Sequence, residues 1–138
     1  MPNVSSEVYT GIATVVARYA DYCDHGRWAE AADLFTEDGV FDAEHVFGRV
    51  VSGRQALAEF MATRPAAIAH HPTTFYIDKV VDDEHFVRMK MLVVFDGAIS
   101  SIDYYWVVVP VGEELKIKRQ EIAMVGRLKT RSSQSAVG

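Results

Sequence analysis

The sequence predicts one α+β domain, and three observations carry that prediction. Apolar residues recur at helical spacing in the first part of the chain, and the period switches to strict alternation afterwards. The third is length: 138 residues suffice for one proper core and are too few for two ordinary domains. Helices first and a long antiparallel sheet afterwards place the helices together on one sheet face. Hydrophobic residues at 49% and charged residues at 24% give the balance of a chain that packs an interior.

From Ser6 to about Cys23, the residues Val8, Ile12, Val15, Val16, Tyr19, Tyr22 and Cys23 mark a first helix, capped by Ser6 and ending near Gly26. Trp28, Ala31, Ala32, Leu34 and Phe35 give a second, shorter amphipathic segment, closed by the polar run Thr36-Glu37-Asp38-Gly39. Val40 to Asp42 and Arg49 to Val51 are short strand candidates. Ser52 with Gln55 has the form of a capping box, and Leu57, Phe60 and Met61 form the stripe of a third helix that Pro65 stops.

Four alternating runs follow, near Thr73 to Val81, Phe86 to Asp96, Ser100 to Val109 and Glu114 to Leu128. In the second, Val87, Met89, Met91, Val93 and Phe95 fall on one face and Arg88 and Lys90 on the other, the dry and wet faces of an antiparallel sheet. Asp96-Gly97 and Val111-Gly112-Glu113 suit hairpin turns. The domain is expected to span residues 1–128, with a loose Ser-rich tail over 129–138.

Fourteen Lys and Arg stand against nineteen Asp and Glu, for a net charge of −5. With the basic residues scattered, nucleic acid and anionic membranes are not expected partners. The lone Cys23 forms no internal disulfide and cannot build a cysteine-based zinc site. The start Met1-Pro2-Asn3-Val4-Ser5-Ser6-Glu7 lacks a signal core, and the most apolar stretch, Tyr104 to Val111, is too short to span a bilayer. The expectation is a soluble protein of the reducing cytoplasm.

The run Arg18-Tyr19-Ala20-Asp21-Tyr22-Cys23-Asp24-His25-Gly26-Arg27-Trp28, and then Ala32-Asp33-Leu34-Phe35-Thr36-Glu37-Asp38-Gly39-Val40-Phe41-Asp42, resembles the opening of a known family. It is similar to the SnoaL-like branch of the nuclear transport factor 2-like superfamily, which contains scytalone dehydratase, ketosteroid isomerase, bile acid dehydratase and polyketide cyclases. Gly53 with its following helix, the step Ala69-His70-His71 and the final hairpins continue the match over about residues 6–126. The resemblance implies a cone: three N-terminal helices packed on a strongly curved, mostly antiparallel sheet around an apolar internal pocket. It also implies a homodimer or higher homo-oligomer through the sheet's outer face. Fold resemblance alone does not choose a reaction.

Residue by residue, the resemblance puts Asp24 where the dehydratases hold a functional Asp and His70 where they hold a catalytic His, with His71 as the alternative one position on. Tyr19 matches a pocket Tyr of bile acid dehydratase and the oxyanion-hole Tyr of ketosteroid isomerase, and Asp103 matches that isomerase's protonated Asp. The departures are Ala43 for the isomerase's base and the scytalone dehydratase Tyr, Cys23 for another Tyr, and Val94 or Phe95 for a third polar group.

The residues themselves support acid–base work. A carboxylate holds an imidazole in one tautomer while the free nitrogen moves a proton, which suits α-proton abstraction with loss of a β-hydroxyl, or isomerisation through an enolate. The expected catalytic set is Asp24, His70 and Tyr19, with Tyr19 positioning a substrate oxygen. His71, Asp103, Met89, Met91 and Phe95 are the expected substrate-binding residues, for an apolar cyclic, polyketide-like or steroid-like molecule. No cofactor or metal is called for, since no HxH or HExxH spacing occurs.

Plainer roles stand beside these. Asp24 is also a turn residue before Gly26 as left-handed cap, Tyr19 and the methionines are core residues, and Asp103 faces solvent. Arg119 and Glu121, sharing a strand face with Leu115 and Ile117, read as a structural ion pair. The rival classes are a non-catalytic ligand-binding or dimerising module, and a hydrolase that would need Asp42 or Asp103 in the same cavity.

Overall fold

The structure is a computed structural model that describes residues 2–63 and 67–124. The chain runs through α1 (Ser6–Asp24), α2 (Trp28–Asp33), β1 (Phe35–Ala43), α3 (Glu44–Phe47), β2 (Arg49–Ser52), α4 (Arg54–Thr63), β3 (Ala69–Val81), β4 (Glu84–Phe95), β5 (Ala98–Val111) and β6 (Glu114–Met124). The six strands form a single sheet in the order β2-β1-β6-β5-β4-β3. Every neighbouring pair is antiparallel except β1 and β6, which are parallel.

The α+β class stands, and the strongly curved cone does not. The sheet is mixed and open, with β2 and β3 as edges at opposite ends of the order, so no strand pairing closes it. The helices number four among the described residues, not three, and two of them follow β1. The additional one, α3, is a single turn ended by Gly48 at φ 68, too short to register as a period.

Local chemistry explains the other shifts. Ser5, not Ser6, caps α1: its hydroxyl accepts from the Val8 N–H at 3.2 Å. The polar run Thr36 to Gly39 does not close the second helix but lies within β1, because helix α2 stops at Asp33. The expected capping box is not the device that starts α4: Ser52 lies in β2, and Gln55 donates its amide to Glu59 at 3.3 Å. The Pro65 helix stop, the end of the last run at Leu128 and the tail over 129–138 lie outside the described residues.

Alternation sends Val87, Met89, Met91 and Val93 of β4 and Ile102, Tyr104, Trp106 and Val108 of β5 into the core, where Tyr19 of α1 packs on Tyr104 and Trp106. Arg88, Lys90, Asp103 and Tyr105 stand on the other face. One interruption matters. Val107 pairs with Arg119 and Val108 with Ile117, so β6 carries an extra residue, Lys118, at a bulge. Beyond it the phase flips: Gln120 and Ile122 face the core, while Arg119 and Glu121 face out. Arg119 and Glu121 therefore do not share a face with Ile117, and the main partner of Arg119 is Asp42, at 2.5 Å, with Glu121 farther at 3.9 Å.

Candidate functional site

The last turn of α1 sets the first half of the site. Gly26 adopts φ 67, and the chain reverses with Arg27 N–H donating to the Tyr22 carbonyl at 2.8 Å and Gly26 N–H to Cys23 at 3.4 Å. This is a Schellman closure, and it leaves Asp24 on the final turn with its side chain aimed away from the helix axis. Arg27 clamps the turn from outside by hydrogen bonds to Glu30 at 2.7 and 2.5 Å. That contact lowers the Glu30 carboxyl below its ordinary value and raises the guanidinium above its own.

The second half comes from the start of β3. Of the two adjacent histidines, alternation turns His70 inward and His71 out to solvent. Asp24 accepts the His70 backbone N–H at 2.9 Å on Oδ1 and 3.1 Å on Oδ2, and meets Nδ1 at 2.7 Å on Oδ1. Its side chain is 20% exposed and that of His70 is 3% exposed. A carboxylate at a helix C-terminus opposes the dipole. Here two N–H groups of one residue, 46 positions away in sequence, offset that cost.

The geometry decides which imidazole nitrogen can act as base. An ionised carboxylate only accepts, so Nδ1 carries the proton, and in the neutral ring Nε2 carries the lone pair. Asp24 and His70 both line a groove of about 580 Å³ on the seam between α1 and β3, open to solvent. Ala13, Ala17 and Ala20 of α1 line it too, and Tyr9 and Phe75 line it as a stacked pair with ring centroids 5.1 Å apart. Among the described residues, the charged groups lining it are the carboxylates of Asp21 and Asp24, which disfavours an anionic occupant.

Tyr19 is brought to His70 but not to this groove. It is wholly buried, with its ring edge-on to the imidazole at 6.2 Å between centroids. Its hydroxyl accepts from Gln120 Nε2 at 3.1 Å, and Gln120 Oε1 accepts from Trp106 Nε1 at 2.8 Å. Sequence reasoning missed Gln120, because unbroken alternation from Leu115 and Ile117 puts residue 120 on the wet face. Only the bulge at Lys118 turns it inward.

The remaining candidates stand apart. Asp103 is on the opposite face of the sheet, where it accepts from Lys90 Nζ at 2.6 Å, and Asp42 is on that face with Arg119. Neither supplies the extra carboxylate that a hydrolytic site beside His70 would require. Met89 and Met91 are core residues of β4, Phe95 is half-buried at its end, and none of the three lines the groove. Among the described residues, no three His, Cys, Asp or Glu side chains gather as a metal set. No described helix is long and apolar enough to cross a membrane.

Comparisons with known proteins agree with this architecture. A family model described as a SnoaL-like domain matches residues 4–121. No curated protein matches the chain at a significant level. Among solved structures, a Novosphingobium aromaticivorans protein provisionally called a scytalone dehydratase superposes with TM-score 0.71 at 24% identity, covering 85% of this chain and 83% of its own. A Catenulispora acidiphila protein in complex with S-DNPA gives TM-score 0.74 at 25% identity, covering 91% and 99%. ActVI-ORFA from Streptomyces coelicolor gives 0.73 at 16% identity, covering 86% and 98%.

Proposed function

Since the chain belongs to the SnoaL-like family of nuclear transport factor 2-like proteins, whose relatives include enzymes and small-molecule binders, we propose that it is a cofactor-independent acid–base enzyme. A dehydratase is the leading form, with isomerisation or cyclisation next. The observation that carries the proposal is the hydrogen bond of 2.7 Å between Asp24 Oδ1 and His70 Nδ1, on a groove able to hold a small molecule.

In this reading His70 Nε2 takes a proton from the carbon next to a substrate carbonyl, and Asp24 stabilises the imidazolium that forms. The same nitrogen returns that proton to a departing β-hydroxyl, so the C–H and C–O bonds break, a C=C bond forms and water leaves. The substrate is an uncharged, largely apolar hydroxy-ketone of cyclic, polyketide-like or steroid-like type. Tyr19 enters this reading behind the imidazole and not on the substrate, because it is buried and its hydroxyl oxygen is engaged by Gln120.

The test is turnover and thermal shift with a panel of cyclic hydroxy-ketones, steroids and aromatic polyketides, for wild type, Asp24→Asn and His70→Ala. Ligand stabilisation of all three proteins with turnover by wild type alone supports the reading. Equal turnover by the variants overturns it.

A second reading, a non-catalytic binding module, draws on Ala43 and on Val94 or Phe95, which put no polar group where the dehydratases have one. Stabilisation by a ligand that no variant and no wild type transforms favours it. Under either reading we propose self-association through the outer sheet face, which exposes Tyr76, Leu92 and Ile99. Sedimentation equilibrium of wild type against Ile99→Lys checks this, and an unchanged monomer mass in both excludes it.

A further inference from the structure

We propose that Gln120 is a positioning residue for the proton transfer, acting on His70 through Tyr19; this rests on His70 being the group that moves the proton. The starting point is that Gln120 is 0% exposed on the core face of the sheet, where an apolar side chain would cost nothing and a buried amide is costly unless both its ends are bonded. Both are. Trp106 Nε1–H is a donor only, so the amide oxygen must face the indole, and the amide nitrogen therefore faces Tyr19. The phenol oxygen is thus the acceptor, and the ring's far end is tied to β6.

That tie fixes a ring that bears directly on the imidazole. Tyr19 stands edge-on to Trp106 at 5.7 Å, to Tyr104 at 6.0 Å and to His70 at 6.2 Å. Asp24 bonds His70 at the backbone and at Nδ1, which defines the tautomer. The Tyr19 ring packs edge-on against the same imidazole, so the direction of Nε2 is set from the end of α1 and also from the centre of the sheet. Displacing a reacting group by about 1 Å can cost about 100-fold in rate.

Two variants that keep the volume separate the idea from mere packing: Tyr19→Phe removes only the hydroxyl, and Gln120→Met replaces the amide by an apolar chain of similar size. The first readout needs no substrate. In protein labelled with 15N-histidine, the His70 ring nitrogens of wild type should show one tautomer, protonated at Nδ1. Both variants should broaden or mix the His70 signals while those of His25, His45, His71 and His85 stay in place. The second readout is turnover of whichever panel compound wild type transforms. The expectation is kcat lower by about 10-fold to 100-fold with KM within about 3-fold, and no further loss in the double variant, since both changes cut the same tie.

If the variants keep wild-type His70 signals and kcat while His70→Ala abolishes turnover, the role of Gln120 is refuted and the acid–base reading survives. If His70→Ala itself retains turnover, the acid–base reading fails and the proposal for Gln120 falls with it.

Discussion

The two faces of the sheet use the same residue types to opposite ends. On the outer face Asp103 meets Lys90 across β4 and β5, and Asp42 meets Arg119 across β1 and β6, in ion pairs that water and salt can reach. On the inner face Asp24 reaches from α1 to grip His70 by both its backbone and its ring, and Gln120 joins Trp106 to Tyr19 with nothing exposed. The lesson is that a polar group's role follows from what surrounds it. Outside, a lost partner is replaced by water. At the wholly buried Gln120 it is replaced by nothing, so that arrangement is held at one geometry.

The largest expected difference between the faces is in turnover. His70→Ala should lower kcat by about 100-fold to 10,000-fold, and Asp24→Asn by a comparable factor, since an amide does not hold the imidazole's charge. Asp103→Asn should change it less than about 2-fold, because no general acid or base on the outer face joins the proton transfer. Steady-state rates of the three variants on one substrate check this, and an equal loss from Asp103→Asn would erase the distinction.

Next in size is stability. Phe41→Ala empties a wholly buried position beside Phe60 and should cost about 3–5 kcal/mol by urea unfolding. Trp106→Phe orphans the Gln120 carbonyl and should cost about 1–3 kcal/mol. A smaller loss for Trp106→Phe than for a surface variant would mean that water reaches the amide.

That the two histidines part to opposite faces was legible from alternation, since adjacent positions on a strand must do so, whereas the preference for His70 and the choice of Asp24 came from the family resemblance. Gln120 was not, because a single extra residue at Lys118 inverts the pattern that would have placed it. The α3 turn and the parallel β1–β6 pair were hidden for a different reason. A one-turn helix has no period, and pairing between segments far apart in sequence leaves no local mark on either. The order of the sheet is a fact of the whole chain, whereas the faces of β4 can be read from Arg88 and Lys90 with their neighbours.

The smallest effect belongs to the outer pair Lys90–Asp103. A double-mutant cycle should give about 0.2–1 kcal/mol, falling with salt. The Asp103 hydrogen bond raises the pKa of the Lys90 ammonium. The pair's contribution is therefore complete below the ordinary lysine range and is lost as pH rises through the raised value. Urea titrations of wild type and Lys90→Met across the alkaline range check the sign; a contribution that grew with pH would contradict it.

The parallel pairing of β1 with β6 also orders events in time. Asp42 and Arg119 are 77 residues apart, and β1 has only the short β2 on its other side. During synthesis, β3 to β5 can form their hairpins as they emerge, but β1 waits with one edge unpaired until nearly all of the described chain exists. Closing that long loop is the entropically slow step. Pulse-labelled hydrogen exchange during refolding should therefore protect amides of β4 and β5 before those of β1, and simultaneous protection would show that the chain collapses as one unit.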